Sequence, residues 1–347
     1  MALPAFDLPH HPPLASLVAE CMARVRRRLD DPRLDDDLRA RFVAYWDAIE
    51  AAHERRRCSG RVAGALPGWL SSVAGLMLLV VASEGGAIDD AVLDAAAGCE
   101  LYVLSVTLFD AIQDDELEGP MSDLPTPVAI NAALILFIHG CEAIFQLADR
   151  LAPALQRRLR EVFVTRSLIL GRGQHRDLRC VRPDSLDLAA AQAQDKTEAI
   201  PMAAELGALA AGCDPTRAGL YAHIGRRSAL LRQCGNDLSD LYGKHESVDL
   251  RTGKWTLPLV AYWGQADAAG QAEFMRLRGE LPGSLEGIRQ LVFESGAVRQ
   301  VAFVMERARR DIHAAIAALG RGDGPIALLG AHADLTAARL YTPTGAR

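Results

Sequence analysis

The sequence lacks the marks of several protein classes. Its seven cysteines form no CxxC pair and no regular spacing, which argues against a disulfide framework or a cysteine zinc site. The net charge is only −6 over 347 residues, and this mild acidity argues against a nucleic-acid partner. The N-terminus has no signal-peptide pattern, and the longest apolar run, over residues 69–82, is too short to span a bilayer. We therefore expect a cytoplasmic protein without stable membrane insertion.

Helical periodicity, in contrast, runs through almost the whole chain. Ala, Leu and Arg are abundant, runs of β-branched residues are scarce, and apolar residues recur every three or four positions. Glycine- and proline-containing turns separate the predicted helices, one of which covers residues 152–171. We predict an all-α helical bundle in which residues 1–57 form an N-terminal helical extension packed on a catalytic bundle of residues 58–347.

Two acidic segments far apart in the sequence point to the chemistry. Asp110 and Asp114 lie one helical turn apart at the end of the apolar run YVLSVTLF, and Asp237 and Asp240 have helical spacing within another apolar segment. Carboxylates on facing helices build metal sites in bundles, and such oxygen ligands suit Mg²⁺ that bridges to phosphate groups. Lys254, downstream of the second segment, would neutralise phosphate oxygens. The pattern predicts a site for Mg²⁺ and a diphosphate.

With these segments placed, the chain resembles the trans-prenyl diphosphate synthases, the polyprenyl synthetase family, whose fold is the single-domain class I isoprenoid (terpenoid) synthase bundle. The resemblance covers roughly residues 58–320. It rests on motifs that follow in the family's order: Glu100 ahead of Asp110; Gly173, Gln174 and Asp177; Lys196-Thr197 and then Glu205–Gly212; Gly225 and Gln233 ahead of Asn236-Asp237; Ser247-Val248-Asp249 with Gly253-Lys254-Trp255-Thr256; and Ser295-Gly296-Ala297.

The resemblance implies a Mg²⁺-dependent enzyme, a homodimer, that holds an allylic prenyl diphosphate with three ions. The implied metal ligands are Asp110, Asp114, Asn236, Asp237 and Asp240. Among these residues Asp110, Asp114 and Asp237 would be catalytic together with Lys254. The implied diphosphate contacts are Lys196, Lys254, Gln233 and Arg232. The implied substrate-pocket residues are Val103, Val106, Thr107, Gln174 and Thr197.

The departures from the family pattern concern mainly the second substrate, isopentenyl diphosphate. Gly119 and Pro120 stand where the family has two arginines, and its N-terminal basic segment is reduced to Ser59-Gly60-Arg61. Ala111 also replaces an acidic residue of the first motif. In the family the lost basic groups bind isopentenyl diphosphate, and each charge-assisted hydrogen bond is worth roughly 1.5–3 kcal/mol. The allylic site therefore looks retained and the isopentenyl site depleted.

We therefore interpret the chain first as a terpene-synthase-like enzyme, in which the carbocation is cyclised or quenched without isopentenyl diphosphate. Transfer of the prenyl group to another small-molecule or peptide acceptor ranks second, and ordinary chain elongation ranks third. The NSE pattern of terpene cyclases is missing, and 5% aromatic residues supply few π faces for a carbocation. Both facts weaken a standard cyclase. A catalytically inactive regulatory subunit is the remaining alternative.

Overall fold

Helices dominate the computed structural model, which describes residues 14–58, 72–243, 247–320 and 324–338, with side chains omitted for 52–58. Of the described residues 81% are helical and none lies in a strand, so the predicted all-α class is confirmed. The helices are α1 (Leu14–Leu29), α2 (Asp36–Cys58), α3 (Val73–Ser83), α4 (Asp90–Gln113), α5 (Thr126–Ala148), α6 (Pro153–Leu178), α7 (Leu186–Lys196), α8 (Ala199–Ala210), α9 (Pro215–Tyr242), α10 (Val248–Thr252), α11 (Leu257–Gln265), α12 (Ala268–Gly279), α13 (Leu285–Glu294), α14 (Ala297–Leu319) and α15 (Ala327–Ala338).

These helices group into two compact units. The first unit comprises Met1–Arg166, Ala199–Gly225 and Ile316–Leu329, and the second comprises Ser167–Glu198, Arg226–Ala315 and Gly330–Arg347. The first unit thus includes helices from both sides of the boundary predicted after residue 57. That boundary stays a prediction.

The core of the first unit is built around α3, in which every residue is buried. This helix packs against α4 and α8, and α8 is almost equally buried. Helix α1 packs on α4 through apolar residues that recur at spacings of three and four, as expected for an amphipathic surface helix. The buried residues of α1 are Leu14, Leu17, Val18, Cys21, Val25 and Leu29.

Helix α4 ends at the first acidic segment in a Schellman cap. The N–H of Glu116 donates to the carbonyl of Ala111 at 2.8 Å, and the N–H of Asp115 donates to the carbonyl of Ile112 at 3.4 Å. Asp114 is the C-cap, and Asp115 adopts the left-handed φ of 58° that this motif usually gives to glycine. The cap leaves Asp110 in the last turn of α4 and Asp114 directly after it.

Helix α6 is longer than the predicted helix over 152–171, because Gly173 does not end it. A Cβ on Gly173 would lie 2.4 Å from the backbone nitrogen of Lys196, so the missing side chain allows α6 and α7 to approach closely. The glycine therefore serves packing, and α6 continues to Leu178. The extension places Asp177 on the same helix, one turn after Gly173.

Two of the described helices, α4 and α5, are long and apolar enough to cross a membrane. Within the protein, 67% of the most apolar stretch of α4 and 44% of that of α5 are buried. Core helices of soluble proteins meet the same criterion, so two such helices are weak evidence for a membrane span.

Candidate active site

A cleft in the second unit collects four of the predicted site residues. Lys196, Gln233, Asp237 and Lys254 line it, and α6, α7, α9 and the segment before α11 contribute its walls. The cleft encloses about 80 Å³. Pockets that hold a whole small ligand typically have roughly 300–1,000 Å³, so the size of this cleft suits a phosphate group.

Asp237 connects the end of α9 to the start of α11. Its side chain is buried, and its two oxygens accept hydrogen bonds from Gln233 Nε2 at 2.7 Å and from the N–H of Leu257 at 2.8 Å. Leu257 begins α11, where the first N–H groups have no helical partner, so Asp237 caps that helix. Burial raises the pKa of Asp237 to about 7, although both hydrogen bonds act to lower it.

Asp240 holds the start of α10, a short helix that the sequence analysis did not predict. Its carboxylate accepts hydrogen bonds from the Ser247 hydroxyl and, at 3.1 Å, from the N–H of Val248. Ser247 is in turn the N-cap of α10 and accepts from the N–H of Leu250 at 3.2 Å. Gly253 ends this helix with a φ of 91°, a conformation that a residue with a side chain rarely adopts. Lys254 follows directly.

The two predicted lysines meet at one carboxylate in this cleft. The ammonium of Lys196 donates to Asp177 Oδ2 at 2.8 Å, and the ammonium of Lys254 lies 3.4 Å from the same oxygen. Asp249 lies 3.8 Å from Lys254 on another side. Burial and the nearby Asp240 raise the pKa of Asp249 to about 6, whereas Lys254 acts to lower it. Two cations thus converge on one carboxylate in the cleft.

The first acidic pair belongs to the other unit. Asp110 and Asp114 are both partly exposed at the end of α4. The predicted pocket residues Val103, Val106 and Thr107 lie within the two turns before Asp110 on the same helix, with the valines partly buried and Thr107 exposed.

Other predicted residues do not line the cleft. Arg232 and Asn236 are exposed on α9, because the helical period turns Gln233 and Asp237 into the cleft and their preceding neighbours away from it. Gln174 is partly buried on α6. The Thr197 hydroxyl donates to the carbonyls of Ala193 and Gln194, at 3.0 and 3.1 Å, and so bonds to the end of its own helix. The predicted contact of Arg232 with a diphosphate stays a prediction.

Comparison with known proteins finds a family model that matches about half of the chain. Residues 122–292 match the family model described as polyprenyl synthetase, and this stretch includes every lining residue of the cleft. The chain carries a polyprenyl synthetase domain.

Similar proteins agree with this match. The chain is 28% identical over 275 residues to the (2E,6E)-farnesyl diphosphate synthases of Mycobacterium bovis and Mycobacterium tuberculosis, an alignment that covers 73% of this chain and 72% of each relative. A decaprenyl diphosphate synthase from Rhodobacter capsulatus has the same fold, with a TM-score of 0.75, 19% identity, and 94% and 98% of the two chains covered. A polyprenyl synthase from Caulobacter crescentus, complexed with calcium and isoprenyl diphosphate, aligns with a TM-score of 0.69 at 20% identity over 97% and 99%.

The oxygen donors of this chain fit a divalent cation better at the first acidic pair than at the second. Asp110 and Asp114 sit at a helix C-terminus, where the helix dipole disfavours negative charge and a bound cation would offset it. Mg²⁺ commonly uses only one or two carboxylates and completes its shell with water and substrate phosphates. At the second pair, each oxygen of Asp237 and Asp240 already accepts a hydrogen bond from the protein.

The described residues contain no group of three or more His, Cys, Asp or Glu side chains that could hold a metal ion by themselves. A site at Asp110 and Asp114 would therefore depend on substrate oxygens. The count of three ions stays a prediction.

The positions where the family's arginines are missing form a short 3₁₀ turn, Gly119–Met121. One cation does reach this turn: Arg41 of α2 donates to the carbonyl of Pro120 at 3.1 Å. Its guanidinium is also paired with Asp123 at 2.7 Å and with Asp37 at 3.1 Å. The predicted remnant of the N-terminal basic segment, Ser59-Gly60-Arg61, lies outside the described residues.

The sequence analysis quoted Asp177 and Asp249 as motif residues and gave neither a role in the site. The structure places both beside the lysines. Gln192 also lines the cleft and was not singled out. A signal for it exists in the helical spacing, because Ala189, Gln192 and Lys196 lie on one face of α7.

Proposed function

We propose that the protein is a Mg²⁺-dependent prenyl diphosphate synthase that ionises an allylic prenyl diphosphate and joins the prenyl group to isopentenyl diphosphate. The observation that carries the proposal is the convergence of Lys196 and Lys254 in a head-group-sized cleft, within the stretch that matches the polyprenyl synthetase family. The farnesyl diphosphate synthase relatives favour elongation. This reverses the ranking drawn from the sequence, where elongation stood third.

The residues of the cleft have distinct parts in this reaction. As the C–O bond breaks, negative charge grows on the leaving diphosphate, and the ammoniums of Lys196 and Lys254 stabilise it. Asp177 holds the two ammoniums together until a phosphate replaces it. Asp237 links α9 to the start of α11 through the hydrogen bond that it accepts from the N–H of Leu257. Asp110 and Asp114 are the carboxylates that would hold Mg²⁺, which, when bound, would supply Lewis-acid stabilisation of negative charge on a diphosphate.

A second candidate function is ionisation without isopentenyl diphosphate, with quenching of the cation or transfer to another acceptor. The observation that favours it is the turn Gly119–Met121, which carries no basic side chain where the family has two arginines. Among the described residues, Arg41 reaches this turn, and two carboxylates already pair with it.

One product assay separates these functions. Purified protein with Mg²⁺ receives geranyl, farnesyl or geranylgeranyl diphosphate, each with and without isopentenyl diphosphate, and the products are identified by mass spectrometry. A longer prenyl diphosphate that forms only with isopentenyl diphosphate supports elongation. A hydrocarbon or alcohol of unchanged carbon number, formed without it, supports the second candidate. No consumption of any allylic diphosphate overturns both.

We also propose that the protein is a homodimer. Helix α5 exposes an apolar stripe in which Ile130, Leu134 and Ile138 recur every four residues and are 45%, 47% and 55% exposed. Such a contiguous apolar stripe is typical of a protein interface. Light scattering after size-exclusion chromatography tests this. The wild type should have the mass of two chains and Leu134→Glu the mass of one, whereas a monomeric wild type would contradict the proposal.

A further inference from the structure

Arg278 on α12 is a partly buried cation that no carboxylate pairs with in the described part of the chain. Its one hydrogen bond runs from Nη2 to the carbonyl oxygen of Lys254 at 3.2 Å. Burial lowers the pKa of its guanidinium, which shows that the surroundings disfavour the charge. A cation kept in such a place at a cost in solvation is expected to have a specific partner.

That partner is the Lys254–Trp255 segment. The guanidinium carbon of Arg278 lies 5.0 Å from the centre of the Trp255 ring, within the range of a cation–π interaction. Phe274, four residues earlier on the same face of α12, is fully buried, and its ring lies 5.7 Å from the ring of Trp255. Helix α12 therefore contacts both the backbone of Lys254 and the side chain of the next residue.

Trp255 is fixed from other directions as well. Its ring meets that of Trp263 of α11 edge to face at 5.3 Å, and Arg182 lies within 6.0 Å of the centre of the Trp255 ring. With Trp255 held, the backbone of Lys254 has little freedom, and its ammonium reaches Asp177 and Asp249. Gly253, just before this segment, would otherwise allow it to move.

We propose that Arg278 is a positioning residue for Lys254: through the Lys254 carbonyl and the Trp255 ring, it holds the lysine ammonium in the diphosphate cleft. The inference rests on the proposed function, because it assumes that Lys254 binds the diphosphate. It adds a residue outside the cleft that determines how well the cleft works. Arg278 itself touches no substrate in this account.

The test measures binding of inorganic diphosphate by calorimetry, with and without Mg²⁺, so that the readout does not depend on turnover. Arg278→Met keeps an apolar stem but removes the hydrogen bond and the charge. We expect it to weaken diphosphate binding about tenfold, which corresponds to about 1.4 kcal/mol. The matched control is Arg276→Met, two residues earlier on α12, where the guanidinium is exposed and pairs with Glu273 and Glu280. The control should bind as the wild type does.

A conservative variant distinguishes a positioning role of Arg278 from an effect of its charge alone. Arg278→Lys keeps the charge but lacks the planar fork that reaches the carbonyl and stacks on the indole. If Arg278 acts only through its charge, Arg278→Lys restores wild-type binding, and that result would overturn the inference. If it positions Lys254, this variant restores binding in part at most. Arg278→Lys also keeps the inference testable if Arg278→Met fails to fold.

A double-mutant cycle with Lys254→Ala completes the test. A residue that acts through Lys254 has no further effect once the lysine ammonium is gone, so adding Arg278→Met to Lys254→Ala should leave affinity unchanged. Additive losses would overturn the inference. If Lys254→Ala alone leaves diphosphate binding intact, the proposed site itself is wrong. If Lys254→Ala weakens binding and Arg278→Met does not, only the positioning role of Arg278 fails.

Discussion

The carboxylate of Asp177 lies 2.8 Å from the ammonium of Lys196. The same oxygen lies 3.4 Å from the ammonium of Lys254, so one acid from α6 neutralises part of the charge of both lysines. Under the proposed function, a diphosphate in the cleft would compete with this carboxylate for the two ammonium groups. Asp177 would then both order the site and weaken ligand binding.

Asp177→Asn should strengthen the binding of inorganic diphosphate in the absence of metal. The amide keeps the shape of the side chain and removes the competing charge, and we expect a gain of roughly three- to tenfold, the size of a partly screened charge interaction. Calorimetry in the presence of a chelator measures the effect. Asp187→Asn is the matched control, since Asp187 is an exposed acid of α7 that pairs with Arg307. Equal or weaker binding by Asp177→Asn would contradict this account of the cleft.

Two glycines of α6 should respond in opposite ways to the same substitution. Gly173→Ala places a Cβ 2.4 Å from the backbone of Lys196, and such overpacking should lower the free energy of unfolding by about 1–3 kcal/mol. Gly171→Ala meets no atom within 4 Å, and it should raise stability by about 0.5–1 kcal/mol because alanine favours the helix. Urea unfolding of both variants checks the pair. Equal effects would show that α6 and α7 do not approach closely here.

The difference between these glycines marks the limit of what the sequence predicted about the fold. Periodicity predicted the all-α class and the region of most helices, because each helix buries one apolar face. The predicted end of α6 at residue 171 was wrong. A sequence does not reveal whether a glycine such as Gly173 ends a helix or allows a neighbouring helix to pack closely. Helix α10 was missed because it has five residues and depends on Asp240 and Ser247 for its start.

The Schellman cap at the C-terminus of α4 can be tested at Asp115. Asp115 has a left-handed backbone conformation. A side chain makes this conformation unfavourable by roughly 1–2 kcal/mol, and by less for Asp than for most residues. Asp115→Gly should therefore raise the free energy of unfolding by about 0.5–1 kcal/mol. Asp115→Ala is the control, since it removes the charge and keeps the strain. If both variants gain the same stability in urea unfolding, the gain comes from charge and not from the cap.

His139 should make stability depend on pH. The ring is buried on α5, 3.9 Å from Asp31, and burial lowers its pKa against the opposing effect of Asp31 and Glu142, while Arg33 and Arg28 add to the lowering. A group whose folded pKa is lowered binds a proton more readily when unfolded. The stability is therefore complete above the unfolded pKa of 6.5 and is lost as the pH falls towards the folded value.

Urea unfolding at about pH 7.5 and about pH 5.5 measures this dependence. The raised pKa values of Asp237 and Asp249 act in the opposite direction and are common to both proteins. On going from the higher to the lower pH, the free energy of unfolding of the wild type should therefore fall relative to that of His139→Gln, which lacks the titrating ring. An equal pH dependence in the two proteins would show that other groups cause it.

Part of the site could be predicted from the sequence and part could not. Lys196, Gln233, Asp237 and Lys254 were predicted from motifs, and the structure brings them into one cleft, where their roles stay predictions. The sequence did not reveal that Asp237 and Asp240 cap two helices, since a motif shows spacing but not hydrogen-bond partners. Nor could it reveal Arg278, whose contact with Lys254 joins residues 24 positions apart.

The most direct test of the central claim is diphosphate release from an allylic prenyl diphosphate with Mg²⁺, compared between the wild type and Lys254→Ala. Removing an ammonium that stabilises the leaving group should reduce kcat/KM by about a hundredfold or more, as for the loss of one preorganised charge partner. Arg276→Met serves as the folded control with wild-type activity. We predict that the wild type releases diphosphate rapidly and that Lys254→Ala releases almost none. Equal rates in the two proteins would contradict the claim that this cleft receives the diphosphate.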